Sequence, residues 1–168
     1  MQTASYWVNS LGLLPHPEGG FYREVHRSTE RVPGGALPSR FEGAERSYLT
    51  SIYFLIQTAH PSHFHRIRSD EIWYFHQGDT VVLHLIDAVG TYKLMRLGDL
   101  HAGVDAFQLC IPAGTWFAAE VEQPQSYALV SCAVAPGFDF ADFELAKAGE
   151  LKKICNSQAD LIDRLTYD

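Results

Sequence analysis

Two histidines one residue apart, His63 and His65, followed by the acidic pair Asp70 and Glu71, are the residues of this chain whose types and spacing point most directly to chemistry. They lie in the stretch SHFHRIRSDEIWYFHQG, Ser62–Gly78. Residues two apart on a β-strand face the same way, so both imidazoles are expected to project together, with Phe64 on the other side. A turn at Ser69–Asp70 then folds Glu71 back over them. Two imidazoles and a carboxylate meeting inside a sheet make either a metal site, with His63, His65 and Glu71 as ligands, or a general acid/base site. On the next strand Glu71, Trp73 and Phe75 share one face, and Ile72, Tyr74 and His76 the other. If Glu71 points inward, Trp73 and Phe75 wall it with apolar surface, which raises a carboxylate pKa. Tyr22, Tyr53, Tyr74 and Tyr127 are candidate proton donors. Tyr74 is placed with the catalytic set and Tyr53 with the residues that line the pocket.

These residues need a sheet to hold them, and the surrounding sequence supplies one. Tyr48–Gln57, Glu71–His76, Thr80–Asp87, Thr91–Leu97, Ala106–Ile111, Thr115–Glu122 and Ser126–Ala135 read as strands broken by turns such as Gln77-Gly78-Asp79 and Val89-Gly90. Short strands with turns every 8–12 residues indicate a mainly β antiparallel barrel or jelly roll. No segment between them is long enough for a βαβ crossover. A short helix over Ala4–Leu11 is capped by Thr3 or Ser5 and ended by Gly12, and two more helices fall at Asp142–Lys153 and Gln158–Leu165. Ser157 with Asp160 matches a capping box. Leu14–Glu24, rich in proline and glycine, feeds an alternating strand over Phe21–Ser28 and places Glu18 and Arg23 at a pocket mouth. Arg31–Arg46 reads as a long loop, of a kind that often serves as a lid. His76 and His84 read as exposed or edge groups. The chain is read as a single domain, residues 1–168.

The 168 residues are 46% hydrophobic and 12% aromatic, enough for a real core. A net charge of -7 argues against a nucleic-acid surface, although Arg23, Arg27, Arg66 and Arg68 could cluster into a local basic patch. No apolar run approaches the roughly 18 residues of a membrane helix, and no basic-then-apolar leader opens the sequence. A cytoplasmic location is therefore expected. Cys110, Cys132 and Cys155, widely spaced and odd in number, read as buried reduced thiols.

The arrangement His63-x-His65, five residues, Glu71, six residues, Gly78 resembles the first motif of the cupin superfamily, with a gap before the glutamate slightly longer than usual. Pro112-Ala113-Gly114-Thr115-Trp116 resembles the second motif, with Phe117 where that motif has a histidine. His16-Pro17-Glu18-Gly19-Gly20-Phe21-Tyr22-Arg23, Asp70-Glu71-x-Trp73 and Ala135-Pro136-Gly137-Phe138-Asp139-Phe140 are similar to one uncharacterised cupin family labelled "predicted sugar epimerase" (domain of unknown function 985). The resemblance runs over about residues 9–146. It implies a cupin-type jelly-roll β-barrel with an internal ligand pocket, commonly as a homodimer. Cupin metals usually take three histidines and a carboxylate. With Phe117 in place of one histidine, His63, His65 and Glu71 are left as a two-histidine, one-carboxylate set for a divalent metal, and the mouth of the site is apolar. Three activities follow as expectations. The first is a keto-sugar epimerase or isomerase in which His65 removes a proton next to a carbonyl, Glu71 or Asp70 orients it, and a tyrosine returns a proton. The others are a non-enzymatic pocket for a carbohydrate-like or aromatic ligand, and a metal-dependent enzyme.

Overall fold

The computed structural model describes residues 2–100 and 104–167. In chain order its regular elements are α1 (Ala4–Leu11), β1 (Leu14–Pro15), β2 (Phe21–Arg27), β3 (Arg31–Val32), β4 (Arg46–Ser47), β5 (Thr50–Gln57), β6 (Ser62–Arg66), β7 (Asp70–Gly78), β8 (Val81–Ile86), β9 (Tyr92–Leu97), β10 (Gln108–Ile111), β11 (Trp116–Val121), β12 (Tyr127–Ala135), β13 (Glu144–Leu145), α2 (Ala148–Ile154) and α3 (Ala159–Arg164). The long strands form two antiparallel sheets. One runs β1-β2-β5-β12-β7-β10 and the other β13-β6-β11-β8-β9, while β3 and β4 pair apart from both. The result is the expected mainly β jelly-roll architecture, built as two facing sheets that no continuous hydrogen-bonded ladder closes into a ring.

Period-two alternation explains the layers. Phe54 and Ile56 of β5, Trp73 of β7, Leu83 and Leu85 of β8, Phe117 of β11 and Val130 and Cys132 of β12 point between the sheets and form the main core. The intervening residues of the second sheet, Phe64, Ile86, Trp116 and Ala118, are covered on the outside by Leu151 of α2, Ile162 of α3 and Leu165. This double cover is why every residue of β8 is buried, including His84. His84 is therefore not an edge group as the sequence suggested. Its imidazole sits between Tyr92 Oη at 2.8 Å and Glu120 at 3.0 Å. Glu120, held down to a pKa of about 2 first by that histidine and then by Arg164 of α3, fastens the last helix to the sheet. On the other side α1 covers Leu55 and Leu129. Thr3 caps α1 by accepting the Tyr6 N–H at 3.2 Å, and Gly12 ends it at φ 61.

Several expectations change. Residues 142–147 do not start a helix: Glu144–Leu145 adds β13 to the edge of β6, and α2 begins only at Ala148. Ser157 does not cap α3; its Oγ lies beside Cys155 Sγ instead. The Arg31–Arg46 stretch is no free lid, because Phe41 is fully buried and Arg46 is tied by two hydrogen bonds to buried Asp142. Cys132 and Cys155 are buried free thiols as expected, whereas Cys110 is exposed. No helix among the described residues is long and apolar enough to cross a membrane.

Candidate functional site

The facing sheets leave a cavity of about 300 Å³ whose polar lining includes His16, Glu18, Tyr22, His65, Glu71 and Cys132, with Glu24, Arg27 and Thr50 also along its wall. Glu18 is its organiser. The Glu18-Gly19-Gly20 turn lies flat against the chain before β6, so a Cβ at Gly19 (φ +109) would meet the Pro61 carbonyl oxygen at 2.0 Å and one at Gly20 (φ +66) the Leu55 carbonyl at 2.8 Å. Only glycine fits both positions. The Glu18 carbonyl oxygen accepts the His63 N–H at 2.8 Å and lies 2.8 Å from His63 Nδ1. Its carboxylate accepts the Ser62 hydroxyl at 2.8 Å through Oε1 and faces His16 Nδ1 at 3.1 Å and His65 Nε2 at 3.3 Å through Oε2.

Ser62 and His65 reach the same carboxylate although they are three positions apart, and the strand register explains this. Between the pairs Ala119↔Ser62 and Phe117↔His65, β6 carries one residue more than β11. That bulge breaks the period-two alternation on which the expected pairing of His63 with His65 rested. His65 points inward and is 2% exposed. His63 does not line the cavity; its ring stacks on Tyr167 with centroids 3.8 Å apart, and it holds Glu18 from behind.

The His65 ring has a defined proton arrangement. Nδ1 lies 2.8 Å from the His63 carbonyl oxygen, which only accepts, so Nδ1 carries a hydrogen. Nε2 therefore faces Glu18 Oε2 either across a shared proton or lone pair to lone pair, and the second state is a base. Burial pushes the His65 pKa down more than Glu18 pushes it up. Burial alone raises Glu18, but His65, His16 and Ser62 together outweigh it and hold this carboxyl below its ordinary range. Glu71 behaves oppositely. Burial first, and the Glu18 charge second, push it up to about 8, while Trp73 Nε1–H donates to its Oε1 at 3.0 Å. At neutral pH Glu71 is a carboxylic acid beside an ionised Glu18.

A stability consequence follows from Glu71. Its folded pKa of about 8 lies above the ordinary 4.5, so between those values the folded chain keeps a proton that the unfolded chain releases. The contribution is whole below the lower value and declines as pH rises to the upper one, by about 1.4 kcal/mol per pH unit. Glu71→Gln removes this slope. In urea unfolding the variant's free energy is expected to gain on the parent's as pH is raised toward about 8. A constant difference across that range would mean that Glu71 ionises normally.

Of the other residues proposed from sequence, Trp73 and Phe117 do not line the cavity but pack in the core behind His65: Phe117 lies 4.0 Å from the His65 ring and 6.3 Å, edge-on, from Trp73. Phe75 packs against the same core. Tyr74 leaves β7 on the side opposite Trp73, and Tyr53 faces outward beneath Arg23, whose guanidinium lies 6.0 Å from the Tyr53 ring. None of these three lines the cavity. Asp70 is exposed and accepts the Ala113 N–H. The tyrosine that faces the site is Tyr22, its ring 4.6 Å from that of His16. Sequence reasoning also missed His16 as a contact of Glu18, Cys132 beside Glu71, and Phe138 and Phe140, which lie where the chain returns over the mouth. Arg27 marks that mouth, paired with Glu24 at 2.7 Å and donating to the Phe138 carbonyl.

The expected metal set does not fit this arrangement. His63 lies outside the cavity with its ring stacked on Tyr167, so it does not share a face with His65 and Glu71. Among the described residues no three His, Cys, Asp or Glu side chains are gathered in the way a metal ion requires.

Comparison with known proteins places these residues in a wider group. Residues 5–146 match the family model described as "Cupin superfamily (DUF985)". An uncharacterized protein of Saccharomyces cerevisiae is 28% identical over 158 residues, covering 88% of this chain and 77% of the yeast protein. A solved structure of a hypothetical protein from Leishmania major superposes with a TM-score of 0.87 at 36% identity, over 99% of this chain and 100% of that one. A Shewanella oneidensis protein superposes with a TM-score of 0.85 at 37% identity, over 99% of each chain.

Proposed function

The chain belongs to the DUF985 family of the cupin superfamily, and from that premise we propose that its cavity is the active site of an acid–base epimerase or isomerase acting on a small, sugar-like carbonyl compound. One observation carries this reading: two carboxyls of one cavity, Glu18 and Glu71, are pushed to opposite protonation states, and the His65 imidazole of the same cavity lies 3.3 Å from the ionised one. Environments that separate two pKa values in this way assign a base and an acid.

His65, backed by Glu18, takes the proton from the carbon next to the substrate carbonyl. The imidazolium so formed is stabilised by the Glu18 carboxylate at 3.3 Å. Negative charge moves onto the carbonyl oxygen, where the Glu71 carboxylic acid donates a hydrogen bond and keeps its proton. Tyr22 returns a proton to carbon. Water then takes the proton from His65 and restores the one on Tyr22. The cavity has room for roughly ten waters at ~30 Å³ each, which suits a ligand of monosaccharide size. A second reading, a pocket that binds without reacting, is favoured by the apolar part of the lining, Ile52, Phe54, Val134 and Phe138.

The test is incubation with a panel of ketoses and keto-sugars in deuterated water. Deuterium appearing at the carbon beside the carbonyl of one of them is expected. Binding of a panel member without deuterium uptake at any carbon would favour the second reading and overturn the first.

A further inference from the structure

We propose that a second cleft, outside the cavity, binds a phosphate-type oxyanion through Arg40, Arg66 and Arg68. The cleft encloses about 470 Å³ between the Ser39–Phe41 turn, the end of β6 and the turn before β13. In a chain of net charge -7 it gathers three arginines. The carboxylates that line it are Glu42, Asp142 and Glu144. Asp142 is already bound through both oxygens by Arg46, at 2.6 and 2.7 Å. Three guanidiniums thus face two available carboxylates, both on exposed residues.

Each guanidinium is fixed by one edge and left open at the other. Arg40 lies 5.0 Å from the Phe41 ring centroid and donates through Nε to the Arg68 carbonyl at 2.7 Å. It has no acidic partner among the described residues, so both its terminal nitrogens are unused. Arg66 sits 4.4 Å over the Trp116 ring, with Nε and Nη2 on the single oxygen Glu144 Oε2 at 2.8 and 2.7 Å. Arg68 reaches Glu42 through Nη2 at 2.8 Å and lies 3.7 Å from Asp142. Nη1 of both Arg66 and Arg68 lacks a protein acceptor among the described residues. Planar donors held in place by a ring, a backbone carbonyl or a carboxylate, with terminal N–H groups open, suit the several oxygens of a phosphoryl group and repel a cation.

The site stands whether or not the cavity is catalytic, yet the two share a wall. Ile67 lines both, and Phe143 of the cleft packs against His65 and His16 with ring centroids 5.4 and 5.8 Å apart.

The test follows the arginine Nε–Hε signals of the isotope-labelled full chain during titration with inorganic phosphate and with a phosphorylated monosaccharide, at constant ionic strength made up with chloride. Saturable shifts of Arg40, Arg66 and Arg68 are expected in both arms. Arg40→Ala should weaken binding at least tenfold, and Arg40→Gln, which keeps the packing without the charge, should do the same. Arg96→Ala, which removes an arginine of β9 paired with Glu122, should leave binding unchanged. Linear, unsaturated shifts that persist in both Arg40 variants would overturn the proposal.

Discussion

The His65→Gln protein is expected to fold and to exchange substrate hydrogen with solvent 10²- to 10⁴-fold more slowly than the parent, a loss of roughly 3–5 kcal/mol of transition-state stabilisation. Glutamine has no basic nitrogen, so it can hydrogen-bond but cannot accept the substrate proton. The buried charge on Glu18 would then face a neutral group in place of an imidazole that becomes cationic during the reaction. Tyr74→Phe is the matching control. Its ring leaves β7 on the side opposite Trp73, away from the cavity, so the rate should be unchanged. A Tyr74→Phe loss as large as that of His65→Gln would mean that the cavity has been assigned to the wrong face of the sheet.

Arg46→Ala is expected to cost about 3–5 kcal/mol of stability, the toll of leaving a buried carboxylate without its partner. Arg46 and Asp142 are 4% and 6% exposed and are joined through both oxygens at 2.6 and 2.7 Å. The pair clamps β4 to the 140–142 turn, and that turn carries Phe140 to the cavity mouth and leads into Phe143 beside His65. Removing both charges in Arg46→Leu with Asp142→Leu should lose less than the single change, because no uncompensated ion remains. Denaturant unfolding of the two singles and the double measures this directly. A single-variant loss under about 1 kcal/mol, as at a surface pair, would mean that water reaches Asp142.

Much of this fold is legible in the sequence because alternation and turn chemistry act locally. The helix at Ala4–Leu11, the strands from β5 to β12 and the shared face of Glu71 and Trp73 all follow from period two and capping residues. The site is legible only in part. Placing His63 beside His65 required an unbroken strand, and one extra residue in β6 turned His63 outward. No residue type in Ser62–Arg66 announces that bulge; it arises from the pairing with β11. Tyr74 was recoverable, since it alternates with Trp73 and must face away from Glu71. Glu18 is near in space but far in sequence, and only the approach of its glycine turn to Pro61 brings it under His65. Phe138 and Phe140 reach the mouth in the same non-local way. Nor does spacing show that Arg66 and Arg68 join Arg40 while Arg23 and Arg27 lie elsewhere.

The central claim is that one cavity holds an ionised Glu18 and a protonated Glu71 at neutral pH. A ¹³C carboxyl titration of the labelled protein reports both groups residue by residue. The account predicts that Glu71 loses its proton near pH 8 and Glu18 below the ordinary carboxylate range. Both groups titrating together near the ordinary 4.5 would contradict it.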